Sequence, residues 1–415
     1  MMTLERVRVL YSFPHKLGAD RICYTAWQQV NGLAAAGADL LVMPGVLHRA
    51  VPADVAVRQT LAWGKARVSY KLLGTMRACA LHDHIVSRRL EKLAGKVDIV
   101  HTWPLGALQT LRVAARLRIP AVLERPNAHT RFAYEVVKRE CDRLGVILPA
   151  NHEHAYKAHV LSREEEEYEA AYRLLCPSDF VATTFSERGF AAHQLVRHQY
   201  GFDDQVYRPA SDAHSSRLGL TVLFVGVCAV RKGLHHALEA WLRSSASRTG
   251  RFLIAGAFVP DYEKYLAPML AHPSVRVLGH RDDVPTLLRD SDVFILPTIE
   301  EGSPLACLEA LGSGCVPLVS DVCRGICRQG YNSLIHKVGD VSTLAEQITL
   351  LDHDRDYLAR LRSGALESRP GITWDAAGRS LLGVYRQLIS ALPSDHDDSS
   401  AYAVSSRVSS GPLSQ

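Results

Sequence analysis

Short apolar runs recur along this chain, and each is followed by a longer stretch with helical spacing, the pattern of strands buried on both faces of a sheet. A first series holds Val7–Tyr11, Leu40–Met43, Ile99–Val100, Ala121–Leu123 and Arg173–Pro177. A second holds Thr221–Val225, Phe252–Ile254, Val275–Val277, Val293–Leu296 and Val316–Val319. Strands that alternate with helices pair in parallel, because each helix carries the chain back to the starting edge. The polar run Ala210–Gly219 separates the two series, and 415 residues exceed the roughly 250–300 that one core supports. The expected fold is therefore α/β, with two doubly wound domains facing a central cleft. Expected boundaries are 1–212 for the first domain and 213–373 for the second, with a disordered tail over 393–415 where Ser and Asp replace large apolar residues.

Several function classes fall away on composition. No apolar run approaches the roughly 20 residues needed to cross a bilayer, and the first residues lack a signal-peptide core, so a cytoplasmic location is expected. The 9 cysteines include no Cys-x-x-Cys pair and fit reduced, buried thiols better than a disulfide framework or a zinc site. A net charge of +5 with the basic residues scattered among carboxylates disfavours a nucleic-acid partner. Residues 65–96 are the exception: Arg67, Lys71, Arg77, Arg88, Arg89 and Lys92 interleave with Leu72, Leu73, Met76, Ile85 and Leu90. That segment reads as a solvated helix face beside a core face, or as a peripheral contact with anionic lipid.

The strongest chemical signal is the stretch from Glu301 to Glu309, directly behind the apolar strand Val293–Leu296. Ser303 and Pro304 read as N-cap and first helical residue, which leaves the N–H groups of Leu305 and Ala306 at a positive helix end suited to a phosphate. Glu301 lies just ahead of that helix and Glu309 in its second turn, two acceptor groups suited to sugar and ribose hydroxyls. Upstream, Gly226 ends a strand and a short loop leads to Arg231 and Lys232, cations that can meet a diphosphate and stabilise the charge that grows on it as a glycosidic bond breaks.

These elements, together with Leu278-Gly-His280 and the terminal Ile372-Thr-Trp374, occur in an order that resembles the retaining glycosyltransferases of family four, which have the GT-B fold. The resemblance covers about residues 5 to 390. It implies two Rossmann-like domains, a last helix (374–392) crossing back to the first domain, and transfer of a sugar from a nucleoside-diphosphate carrier, UDP- or GDP-linked, to a hydroxyl acceptor that is a saccharide, a lipid-linked saccharide or a small molecule. It implies no cofactor and no metal, and attack on the front face of the sugar with the leaving phosphate assisting.

By the same resemblance, Glu301 faces the transferred sugar with the amides of Gly302, Ser303 and Leu305, and Glu309 takes the ribose. Arg231 and Lys232 hold the diphosphate beside Gly226 and Pro304, and Gly18 brings the first-strand loop to it. His129, in Glu124-Arg-Pro-Asn-Ala-His129, matches the family's histidine near the reacting sugar. The loop with His280 and Arg281 is expected to recognise the base. Ser303-Pro304 stands where larger aromatic or glycine-containing pairs are frequent, and Gly18-Ala19 where two glycines are usual. Asp290-Ser-Asp292 has the form of a manganese site, but Asp292 opens a buried strand, and His152 and His154 do not share a helix face. A catalytically inactive GT-B module that binds sugar nucleotides, or a GT-B epimerase, is the competing reading.

Overall fold

The computed structural model describes residues 6–64, 66–68, 73–210 and 219–392. The linker residues 211–218, the tail 393–415, and Lys65, Lys71 and Leu72 of the basic segment lie outside these. The described residues fall into two compact units: one drawn from Met1–Glu124, Ala158–Leu175 and Leu382–Gln415, the other from Arg125–Lys157 and Cys176–Leu381. The last helix, Trp374–Ser390, begins in the second unit and ends in the first.

In the first unit, β1 (Arg8–Leu17), β2 (Asp39–Leu47), β3 (Ala56–Val57), β4 (Ile99–Thr102), β5 (Ala121–Glu124) and β6 (Arg173–Cys176) pair in the order β3-β2-β1-β4-β5-β6, all parallel. β1 runs on past the expected Tyr11 to Leu17, with a register shift between Phe13 and Lys16. Gly18 then turns the chain at φ +88, a backbone conformation that side chains disfavour, and a Cβ there would meet Arg49 Cβ at 2.7 Å. His101, at the carboxyl end of β4, is a core residue: its Nδ1 lies 2.6 Å from the Tyr385 hydroxyl and its ring stacks on Tyr11.

The helix Thr75–Glu91 carries most of the described part of the basic stretch. Ala78, Cys79, Val86 and Leu90 are buried while Arg77 and Arg88 are exposed, so its apolar residues serve the core. Among the described residues, no helix is long and apolar enough to cross a membrane.

In the second unit, β7 (Thr221–Val225), β8 (Arg251–Ala255), β9 (Val275–Gly279), β10 (Val293–Leu296), β11 (Val316–Ser320) and β12 (Leu334–His336) form a parallel sheet in the order β9-β8-β7-β10-β11-β12. The order reverses direction beside β7 and β10, where an α/β sheet opens a crevice at its carboxyl edge. Three helices of this unit frame that edge: α1 (Thr130–Leu144), α2 (Leu234–Arg243) and α3 (Leu305–Ser313). Val137 and Cys141 of α1 are buried in the same core as Phe224 and Ile295, so α1 packs with the second sheet. Asp292 accepts the Thr221 N–H at 2.9 Å and lies near Arg355 and Arg362, which gives it a structural role at the opening of β10.

Candidate functional site

The cationic turn is built by backbone constraints. β7 is followed by Gly226, φ +140, and residues Val230–Lys232 make a single turn of 3-10 helix closed by Gly233 at φ +68. A Cβ on Gly233 would stand 1.9 Å from the Pro297 carbonyl oxygen, so only glycine fits. The Arg231 carbonyl accepts from the Ile299 N–H at 2.9 Å and the Thr298 hydroxyl at 2.8 Å. These bonds tie the turn to the loop after β10 and set Arg231 and Lys232 against Glu300 and Glu301.

There the charges pair. Lys232 Nζ meets Glu301 Oε2, and Arg231 Nη1 lies 3.3 Å from Glu301 Oε1. Arg231 also donates to the Glu300 carbonyl at 3.0 Å and lies 3.3 Å from its carboxylate. Burial pushes the Glu301 carboxyl upward, but Lys232 and Arg231 outweigh it and hold it at about 2. Burial likewise disfavours charge on Glu300, yet His154, whose Nε2 is 3.3 Å away, and Arg231 keep it below the usual carboxylate range. Arg231 loses by burial and gains more from the two carboxylates, so its guanidinium is held charged.

Glu300 has no place in the sequence reading, which used only the second of two successive glutamates, and His154 entered it only as a rejected metal ligand. Glu300 is fully buried and also accepts the Ala128 N–H at 3.1 Å, bringing the segment before His129 to the same cluster. The signal available was the doublet itself, two successive carboxylates that both reach Arg231 Nη1.

His129 is the N-cap of α1. Its Nδ1 accepts the Arg131 N–H at 3.2 Å, which places the ring proton on Nε2, and its own N–H donates to Thr184 Oγ1 at 3.0 Å. The ring packs 4.9 Å from Phe185. Burial chiefly, then Arg188, Arg125 and Arg131, push its pKa down to about 2, so it is neutral. A neutral imidazole presenting Nε2–H can donate a hydrogen bond but cannot take up a proton there.

The helix after Glu301 starts differently from the expectation. α3 begins at Leu305 with Pro304 as its N-cap, and no side chain caps it. Ser303 is outside the helix because Pro304 takes an extended ψ of 111 rather than a helical one. Gly302 is required: its Cβ would stand 1.6 Å from the Pro126 carbonyl oxygen. Gly302, Ser303 and Pro304 line a cavity of about 220 Å³ with Ser178, Arg197 and Arg324. Glu309 lies partly buried in the second turn, and burial raises its pKa to about 7 against the lowering effect of a hydrogen bond from Tyr207.

The remaining expected residues are elsewhere. His280 and Arg281 follow β9 and are exposed, Arg281 bound to Asp283 at 2.6 Å and His280 3.5 Å from Asp282; neither lines the cavity. Gly18 lies in the first unit, at the end of β1.

Residues 219–354 match the family described as Glycosyl transferases group 1. Over 119 residues the chain is 31% identical to an N,N'-diacetylbacillosaminyl-diphospho-undecaprenol alpha-1,3-N-acetylgalactosaminyltransferase of Campylobacter jejuni, spanning 28% of this chain and 31% of that protein. The curated relatives it matches are spanned over only 24% to 62% of their length. Among solved structures, the sucrose-phosphate synthase of Thermosynechococcus elongatus superposes with a TM-score of 0.67 at 17% identity, over 93% of this chain and 100% of that one. Anabaena HepE in complex with UDP gives 0.64 at 14% identity, over 92% and 100%. The fold is GT-B.

Proposed function

We propose that this chain, whose residues 219–354 belong to the group 1 glycosyl transferases, moves a sugar from a nucleoside-diphosphate-sugar to a hydroxyl acceptor with retention of anomeric configuration. The observation that carries the reading is the placement of Arg231 and Lys232 against Glu301, immediately ahead of the uncapped start of α3. A diphosphate needs fixed positive charge where the leaving group develops negative charge, and two cations beside free helix N–H groups supply it. On donor binding, the phosphates would take over Lys232 and part of Arg231, releasing Glu301 to accept from the sugar hydroxyls.

In this reading Gly302, Ser303 and Leu305 offer backbone amides to the sugar, and Glu309 grips the ribose; Gly226, where a Cβ would meet nothing within 4 Å, leaves room for the diphosphate, and His280 and Arg281 flank the base. His129, neutral and donating through Nε2–H, contributes by orienting or stabilising oxygen at the reacting centre. It does not act as a base. The step needs no metal in this scheme, because side-chain cations and helix N–H groups carry the leaving-group charge. HepE was solved with UDP, which favours a UDP-sugar donor over a GDP-sugar. The Campylobacter relative acts on a diphospho-undecaprenol-linked sugar, which points to a saccharide or lipid-linked saccharide acceptor. Exposed Arg77, Arg88 and Lys92 would then rest near the headgroups on the cytoplasmic side.

A thermal-shift panel of UDP-, GDP- and ADP-sugars tests the donor, since a ligand that binds only the folded state raises its stability by mass action. Release of nucleoside diphosphate that depends on an added acceptor tests transfer. Proton NMR of the product glycoside reads the configuration, and an inverted product would overturn the retaining assignment.

A further inference from the structure

A second cluster in the same unit lies outside the residues assigned to the donor. Glu140, in the third turn of α1, points its Oε1 at the Nε2 of His235 at 2.8 Å and at the Nε2 of His236 at 3.4 Å. The two histidines are adjacent in the first turn of α2, with ring centroids 3.9 Å apart. Successive helical residues point about 100° apart, so convergence of both imidazoles on one oxygen is a specific arrangement. All three ligand atoms lie within 4.8 Å of one another, and among the described residues no other group of three potential ligands does so.

We propose that Glu140, His235 and His236 bind a divalent transition-metal ion of the zinc type, which staples the helix that begins at His129 to the turn that carries Arg231 and Lys232.

Two imidazoles and one carboxylate form a donor set that zinc takes in tetrahedral sites, with a fourth position left for water. Metal–ligand bonds of about 2.0–2.2 Å put tetrahedral ligand atoms roughly 3.4 Å apart. The His236–Glu140 pair stands at 3.4 Å already and the His235–Glu140 pair, at 2.8 Å, has to open by a few tenths of an ångström. His235 is oriented by its outer nitrogen: Nδ1 lies 2.7 Å from the Tyr262 hydroxyl, the kind of partner that fixes a ligand ring and leaves Nε2 for a metal. The Nδ1 of His236 is buried with no hydrogen-bond partner among the described residues, so nothing there opposes a shift of the ring proton away from Nε2.

The competing cation is Arg143, whose Nη2 sits 2.6 Å from Oε1 and whose Nε sits 3.0 Å from Oε2 of Glu140. Its side chain is 56% exposed, so it can give up Oε1 to the ion and keep Oε2. On binding, each imidazole would move its proton from Nε2, where it now faces Glu140, to Nδ1. His235 follows Lys232 by three positions in the chain, with only Gly233 and Leu234 between, so the ion would hold the cationic turn from behind without touching a donor. The inference does not depend on the transferase reading.

The test uses full-length protein without a histidine tag, stripped with EDTA. Calorimetric titration with Zn²⁺ should show one equivalent bound and a raised melting temperature. Co²⁺ should give the intense visible bands of a tetrahedral nitrogen and oxygen site. His236→Gln and Glu140→Gln should each weaken Zn²⁺ binding at least tenfold. Absence of stoichiometric binding in the wild type overturns the proposal, and so does one-equivalent binding that survives in both variants. Should a variant not fold, X-ray absorption of the wild-type Zn²⁺ complex decides: two imidazole nitrogens in the coordination sphere support the site, and any other number sinks it.

Discussion

Arg231 Nη1 donates to the backbone carbonyl of Glu300 at 3.0 Å and lies 3.3 Å from the same residue's carboxylate, so one residue holds the guanidinium through two different groups. Glu301 Oε1 stands 3.3 Å from the same nitrogen. The guanidinium is thereby part of the folded core as well as a candidate phosphate ligand.

The two cations should therefore separate by experiment. Lys232→Ala leaves Glu301 paired with Arg231 and should fold normally while losing about 10²- to 10³-fold in turnover, the usual cost of deleting one transition-state contact. Arg231→Ala leaves two buried carboxylates short of a partner and should also lose about 3–5 kcal/mol of stability. Steady-state kinetics with calorimetric melting on both variants checks this; equal melting temperatures would remove the structural role given to Arg231.

His129 makes stability fall on the acid side. Its pKa is about 2 in the folded chain against an ordinary 6.5, so the unfolded state binds the extra proton and the contribution is complete above about pH 6.5 and lost progressively below it. His129→Asn keeps a good cap without a titrating ring. The variant should unfold at wild-type denaturant concentrations near pH 8 and show a shallower decline between pH 6.5 and 4, measured by urea titration at each pH.

Glu309 has the opposite slope. A folded pKa of about 7 against an ordinary 4.5 means that the folded state holds the extra proton, so stability falls as pH rises from about 4.5 to 7. Glu309→Gln should flatten that decline and raise the melting temperature at pH 8 relative to wild type, while weakening donor binding if the carboxylate grips ribose. Melting curves at pH 5 and pH 8, with and without UDP-sugar, separate the two effects.

Backbone closeness predicts the largest losses. Gly302→Ala and Gly233→Ala put a methyl 1.6 Å from the Pro126 oxygen and 1.9 Å from the Pro297 oxygen, clashes that move backbone rather than side chain. Each should cost more than about 3 kcal/mol. Gly371→Ala, where a Cβ meets nothing within 4 Å, should change the melting temperature little and serves as the control.

Much of the fold was legible because parallel strands buried on both faces leave uninterrupted apolar runs, and runs such as Thr221–Val225 and Val293–Leu296 need no partner to be recognised. The short β3 and β12 carry too few residues to show a pattern. At the site, Glu301, Arg231 and Lys232 were visible as motifs, and the structure brings those three together. Glu300 was missed because its role depends on contacts with Ala128 and His154, well over a hundred positions away, which no local spacing encodes. Ser303 was assigned as N-cap because it is a good capping residue; Pro304 takes that position through its backbone angles, which the residue type alone does not reveal.

Since the ring of His129 is also the cap on α1, the first turn of that helix is a built-in reporter. A ligand that turns the imidazole toward itself must surrender the bond to the Arg131 amide, and that amide would then exchange with deuterium faster. One that only accepts from Nε2–H would leave the exchange slow. Occupancy of the site can thus be followed at a single backbone proton, with no reaction taking place.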